Sequence, residues 1–175
     1  MGTLPRLVAS LLLCLAVALA AAACGAGGGG EAAAADAIDL SASIEGDGWK
    51  VNLADAPEKH LILGKGNITY QAEDENIYLL VFLDLSNTGT VLKVVDRSLL
   101  QVRDAAGNEY SASISAHQVA YLEQDGSKEG YSIVLDSPLQ PGKSRRGVVT
   151  FLVPNSATGL QLMFKGFDGT IELGF

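Results

Sequence analysis

The chain holds two cysteines and two histidines in 175 residues, and its 12 basic residues are outnumbered by 20 acidic ones. Each shortage excludes something. Cys14 lies inside the apolar N-terminal run and is expected to leave with it, so the exported chain keeps one cysteine and forms no internal disulfide. The fold must then stand on its core alone. One cysteine with His60 and His117 is too little for an ordinary transition-metal centre, and no His-x-x-x-His spacing occurs. Gly-x-Ser-x-Gly and Ser-x-x-Lys are both missing, so no familiar nucleophile signature is present. Loss of Arg6 with residues 1–23 would leave 11 basic and 20 acidic residues, a difference of −9. That balance argues against nucleic acid, which needs a basic face. It also argues against electrostatic attachment to anionic lipid.

What the N-terminus does contain is an address. Met1 to Arg6 is short and positive, Leu7 to Ala23 is apolar without a charge, and Ala21, Ala22 and Ala23 stand directly before Cys24. That is the pattern of a secretory signal, here assigned to residues 1–23. Cys24 resembles the cysteine of a bacterial lipoprotein signal, which takes a diacylglycerol and becomes the new N-terminus. Such a protein sits on the extracytoplasmic side of the cell membrane, held by its lipid. Ala21 departs from the pattern, which prefers Leu there. Cleavage by ordinary signal peptidase, giving a secreted and non-lipidated protein, is therefore the alternative. The apolar run is slightly short for a membrane span of about 20 residues. Residues 24–35, rich in Gly and Ala, read as a tether.

Residues 36–175, about 140 in number, suffice for one domain. Their texture is short apolar runs between turn signals. "SIEGDGWKVNL" reads as a hairpin. In "NIYLLVFLDLSN", Ile77, Leu79, Val81, Leu83 and Leu85 share one face, while Tyr78, Leu80 and Phe82 share the other. A strand apolar on both faces is central and covered on both sides. "HLILG", "LLQVRD", "NEYSASI", "GYSIVL", "RRGVVTFLVP", "LQLMF" and "TIELGF" complete the set. "SAHQVAYLEQ" (115–124) is the one stretch suited to a helical turn. The count is about eight to nine short strands, the signature of an antiparallel β-sandwich.

The order of these pieces resembles a bacterial family of immunoglobulin-like (telokin-like) lipoproteins and secreted proteins of unknown function. That family is related in fold to the mycobacterial immunoprotective secreted antigen. The resemblance rests on Asn87 and Gly89 after the central strand, Asp104 and Gly107 in a hairpin, and the Pro141-Gly142 turn. Gly147, Phe151 and Pro154 of the following strand complete it. It runs from about Trp49 to Phe175 and departs between Glu58 and Gln71. It implies an all-β, immunoglobulin-like sandwich and an exported, often lipid-anchored protein. It implies no activity and no cofactor.

No residue set reads as catalytic, so the chain is expected to be a binding module for an unknown protein or small ligand. Its candidate binding loops are "AEDEN", with Glu73, Asp74 and Glu75, and "DGSKEG", with Asp125 and Glu129. Neither loop has the alternate-residue oxygen spacing that calcium wants, and both read as solvated. A metal-handling protein using His60 and His117 is the alternative function. "KSRRG" (143–147) is the densest basic spot, either an anion contact or a guard on a sheet edge.

Overall fold

Strand β6 (Asn76–Asn87) is the spine of the domain, and its alternation explains why. In the computed structural model, which describes residues 38–113 and 134–175, every residue from Ile77 to Leu83 is buried. Ile77, Leu79, Val81, Leu83 and Leu85 enter the main core, while Tyr78, Leu80 and Phe82 enter a second cluster with Leu63, Ala72 and Val148. A strand with two apolar faces needs neighbours on both edges and a layer on both sides. β11 (Ser144–Pro154) pairs antiparallel with one edge along its whole length. The other edge is shared. β2 (Trp49–Leu53) pairs with the C-terminal half and β3 (Glu58–His60) with the N-terminal half. Pro57, lacking a backbone donor, lies between them. β1 (Ser43–Gly46) flanks β2.

The second sheet has the order β13-β12-β8-β9, from β8 (Leu100–Arg103), β9 (Glu109–Ser111), β12 (Gln161–Phe164) and β13 (Thr170–Glu172). Taken in chain order, β2, β6, β8, β9, β11, β12 and β13 put their first, second and fifth members in one sheet. The rest form the other. That is the Greek-key connectivity of an immunoglobulin-like sandwich. Past β9, Ala112 bridges Phe151 and the Ser113 amide donates to the Thr150 carbonyl, so this stretch reaches the edge of β11. Between the sheets Trp49 meets Phe164 at 6.0 Å, and Phe164 meets Phe167 edge-on at 4.7 Å.

The described residues form thirteen strand segments rather than eight or nine. "HLILG" divides at Leu61 into β3 and β4 (Ile62–Lys65), and β4 pairs only with β5 (Ile68–Gln71) among the described residues. Leu63 of this hairpin covers the outer face of β6 in the second cluster. A further two-residue ladder joins β7 (Lys93–Val94) to β10 (Pro138–Leu139). Of "GYSIVL" only Val134 and Leu135 are described, and Leu135 makes a parallel bridge to Val95. Residues 1–23, Cys24, the tether, "SAHQVAYLEQ" with His117, and Asp125 and Glu129 lie outside the described residues.

Gly48 is required by contact as well as conformation. Its φ is +70°, and a Cβ there would stand 2.8 Å from the Gly89 Cα. The turn after β1 therefore packs backbone to backbone on the turn after β6, with the Thr88 and Gly89 amides both donating to the Gly48 carbonyl.

Candidate functional site

Three loops gather at the end of the sandwich where β6 begins. The Asn155 amide donates to the Glu75 carbonyl, and the Ala105 amide donates to the Thr158 carbonyl. The acidic loop before β6, the β8–β9 turn and the loop after β11 thus share one pole. A concavity of about 270 Å³ lies here, lined among others by Asp104, Asn108, Tyr110, Ser156 and Thr158.

Asp104 organises this pole. Its Oδ1 accepts the amides of Ala106 (2.9 Å) and Asn108 (2.8 Å). Its Oδ2 accepts the Asn108 side-chain amide and the Tyr110 hydroxyl, both at 2.8 Å. Gly107, at φ +88°, lets the turn close so that these donors converge. Donation from Asn108 first, then from Tyr110 and the two amides, holds the Asp104 carboxyl down at about 2, from an ordinary 3.8. All four donors favour the charged form. Their stabilisation is therefore complete above the unfolded value near 3.8 and is lost as pH falls towards 2. Asp104→Asn should be less stable than the native chain at neutral pH, and the gap should narrow below pH 4, checked by urea unfolding across that range. An unchanged gap would remove the charge from the explanation. Because both carboxylate oxygens are filled, Asp104 offers nothing to a cation.

Glu73, Asp74 and Glu75 are exposed. Asp74 sits at φ +46°, and the Asn76 amide donates to the Glu73 carbonyl, so the loop is a closed turn. Neither of the two grooves described here is lined by these carboxylates. Among the described residues no three His, Cys, Asp or Glu side chains come together as a metal site. His60 lies on β3 with its Nε2 3.0 Å from Glu58 Oε2, a same-face i,i+2 pair on a strand. Arg146 of the basic spot is engaged. It grips Asp84 with two hydrogen bonds of 2.9 and 2.7 Å across the β6–β11 ladder, while Arg145 donates to the Pro138 carbonyl.

The larger groove, about 370 Å³, was not anticipated from the sequence. It lies on the outer face of the second sheet. Gln101 and Arg103 of β8, Glu109 of β9, Met163 of β12 and Thr170 of β13 line it with the Lys165–Gly169 turn. Arg103 Nη2 meets Glu109 Oε1 at 2.7 Å on its floor. Both charge signs and a thioether are presented from paired strands, which hold side chains more firmly than loops do. The strands themselves were visible in the sequence as "LLQVRD" and "LQLMF". Their long-range pairing, which makes the groove, was not.

These features define an immunoglobulin-like β-sandwich with no assembled catalytic constellation among its described residues. The chain belongs to the family described as "Domain of unknown function (DUF4352)", which matches residues 59–170. No curated protein matches it in sequence. In structure it is similar to a conserved hypothetical protein from Bacillus anthracis, with a TM-score of 0.59 and 13% identity, covering 78% of this chain and 94% of that one. It is also similar to an uncharacterized β-sandwich protein from Clostridium difficile, with a TM-score of 0.47 and 15% identity, covering 78% and 92%. The first likeness supports the fold. Nothing in these comparisons indicates catalysis. Among the described residues, no helix is long and apolar enough to cross a membrane.

Proposed function

We propose that the protein is an extracytoplasmic lipoprotein, tethered to the membrane by a lipid on Cys24, whose sandwich domain binds a partner without catalysing a reaction. The observation that carries this reading is the context of Cys24. Three alanines precede it, an uncharged apolar run stands upstream, and a glycine-rich stretch with nothing to pack follows. A thiol in that setting has no redox partner and no core to fill, which leaves attachment as its role. The mixed-charge groove around Arg103, Glu109 and Lys165 is the surface assigned to binding, suited to a polar segment of a protein partner. The unknown ligand is recognised by rigid strands, with the acidic loop at Glu73, Asp74 and Glu75 as a secondary contact.

Fractionation of a bacterial host tests the tether. The native chain should sediment with membranes and dissolve only in detergent. Cys24→Ser should move it to the soluble fraction. Identical partitioning of the two chains would contradict the reading.

A further inference from the structure

The outer edge of β5 is unguarded. β5 pairs with β4 on one side, and nothing among the described residues pairs with its other side. Its sequence, "ITYQ", holds no charge and no proline, the usual guards of an exposed edge. The outer strands β1, β3, β9 and β13 each carry a glutamate. Every residue of β5 is exposed. Leu63 of β4 is fully buried in the cluster on β6, whereas Tyr70 opposite it is 36% exposed. Ile68, on the same face of β5, is 52% exposed. β4 is therefore seated on the domain, and β5 overhangs it.

The hydrogen-bond phase of the hairpin fixes what the free edge presents. The Ala72 amide donates to the Leu61 carbonyl, so these two form a hydrogen-bonded pair. Such pairs alternate along an antiparallel ladder, which makes Leu63 and Tyr70 the next one. The amides and carbonyls of Thr69 and Gln71 then point away from β4. The Gln71 carbonyl accepts the Tyr78 hydroxyl at 3.4 Å, in keeping with that direction, and keeps a second lone pair. Donors and acceptors spaced in this way match the edge of another strand.

We infer that β5 pairs antiparallel with β5 of a second copy of this chain, across a two-fold axis. One register uses every edge group. Thr69 exchanges hydrogen bonds with Gln71 of the second copy, Gln71 does so with its Thr69, and the two Tyr70 residues meet on the axis. They form a non-hydrogen-bonded pair, the closer kind, and aromatic cross-strand pairs are favourable. Glu73 falls level with Asn67 of the second copy. The two Glu73 residues thus stand roughly 20 Å apart along the strand direction, beyond the screening length of about 8 Å at physiological salt. A foreign extended segment would be selected through pockets for its alternate side chains. Neither groove described above is lined by this hairpin. Self-pairing needs no pocket, and the two-fold closes the edge of both copies. So short a ladder lies at the low end of interface sizes, so the dimer is weak and reversible. The inference is independent of the lipid on Cys24 and of the groove at Arg103.

The test uses the full chain with Cys14→Ala and Cys24→Ala, recovered as soluble protein and followed by sedimentation velocity. It should be monomeric at about 10 μM and shift towards dimer by about 1 mM. Thr69→Pro removes an amide that β4 does not use, and edge strands tolerate proline. It should abolish the shift and leave the urea midpoint nearly unchanged. Added to the same chain, Tyr70→Cys should let oxidised glutathione cross-link two copies, because facing Cβ atoms on the axis lie close to disulfide reach. Val91→Cys, exposed near the opposite end of β6, should stay uncross-linked. Should Thr69→Pro fail to fold, the cross-link decides. A chain still monomeric at about 1 mM overturns the inference. So does a dimer that folded Thr69→Pro leaves intact, or Tyr70→Cys cross-linking no faster than Val91→Cys.

Discussion

Phe151→Ala lowers the unfolding free energy by about 4 kcal/mol, read from the urea midpoint at an unchanged m-value. Phe151 is fully buried in the main core and stands opposite Leu79 in the β6–β11 ladder. Removing its ring leaves a cavity between two sheets whose strands are fixed by hydrogen bonds, so the void cannot close. The next residue is the control. Leu152 is 38% exposed on the opposite face of the same strand, and Leu152→Ala should cost less than about 1 kcal/mol. A one-residue slip in register would exchange these two faces. Equal losses at 151 and 152 would refute the pairing.

Asn87→Ala costs about 3 kcal/mol, the usual scale for stranding buried partners of a lost hydrogen-bonding group. Asn87 is 1% exposed at the end of β6. Its side-chain amide donates to the carbonyls of Val91 and Leu139, each at 2.8 Å, and its Oδ1 accepts the Gly89 amide at 3.0 Å. Its backbone amide donates to the Lys143 carbonyl, and its own carbonyl accepts the Gly142 amide. One side chain thus joins the turn after β6 to the stretch before β11. Alanine keeps the backbone bonds and takes the donor away from two carbonyls, while the Gly89 amide keeps the Gly48 carbonyl as its acceptor. Asn87→Asp should fail too, because a carboxylate oxygen would face those carbonyls where an N–H had been. A loss below about 1 kcal/mol for Asn87→Ala would mean that water satisfies the freed groups.

The two longest strands were legible as apolar runs. Ile77 to Leu83 is apolar on both faces because alternate residues enter the main core on one side and the second cluster on the other. The turns at Asp104-Gly107 and Pro141-Gly142 were legible because their backbone angles demand those residues. Leu61, Ile62, Leu63 and Ile68 show the limit. Their hydrophobicity is that of a core strand, yet only Leu63 is buried. Burial of a short apolar run depends on what folds over it, which composition does not record. Arg146 shows a second limit. It reads as an edge guard or an anion contact until the fold brings Asp84, 62 residues away, within 2.7 Å. The groove at Arg103 and Glu109 shows a third, since it exists only once β12 has paired with β8.

The most direct measurement is the mass of the N-terminal peptide of the mature protein purified from membranes. A lipid-tethered protein has a chain beginning at Cys24 and heavier than its sequence by a diacylglycerol, with or without a further acyl group. An unmodified peptide, beginning at Cys24 or at any alanine or glycine around it, would contradict it.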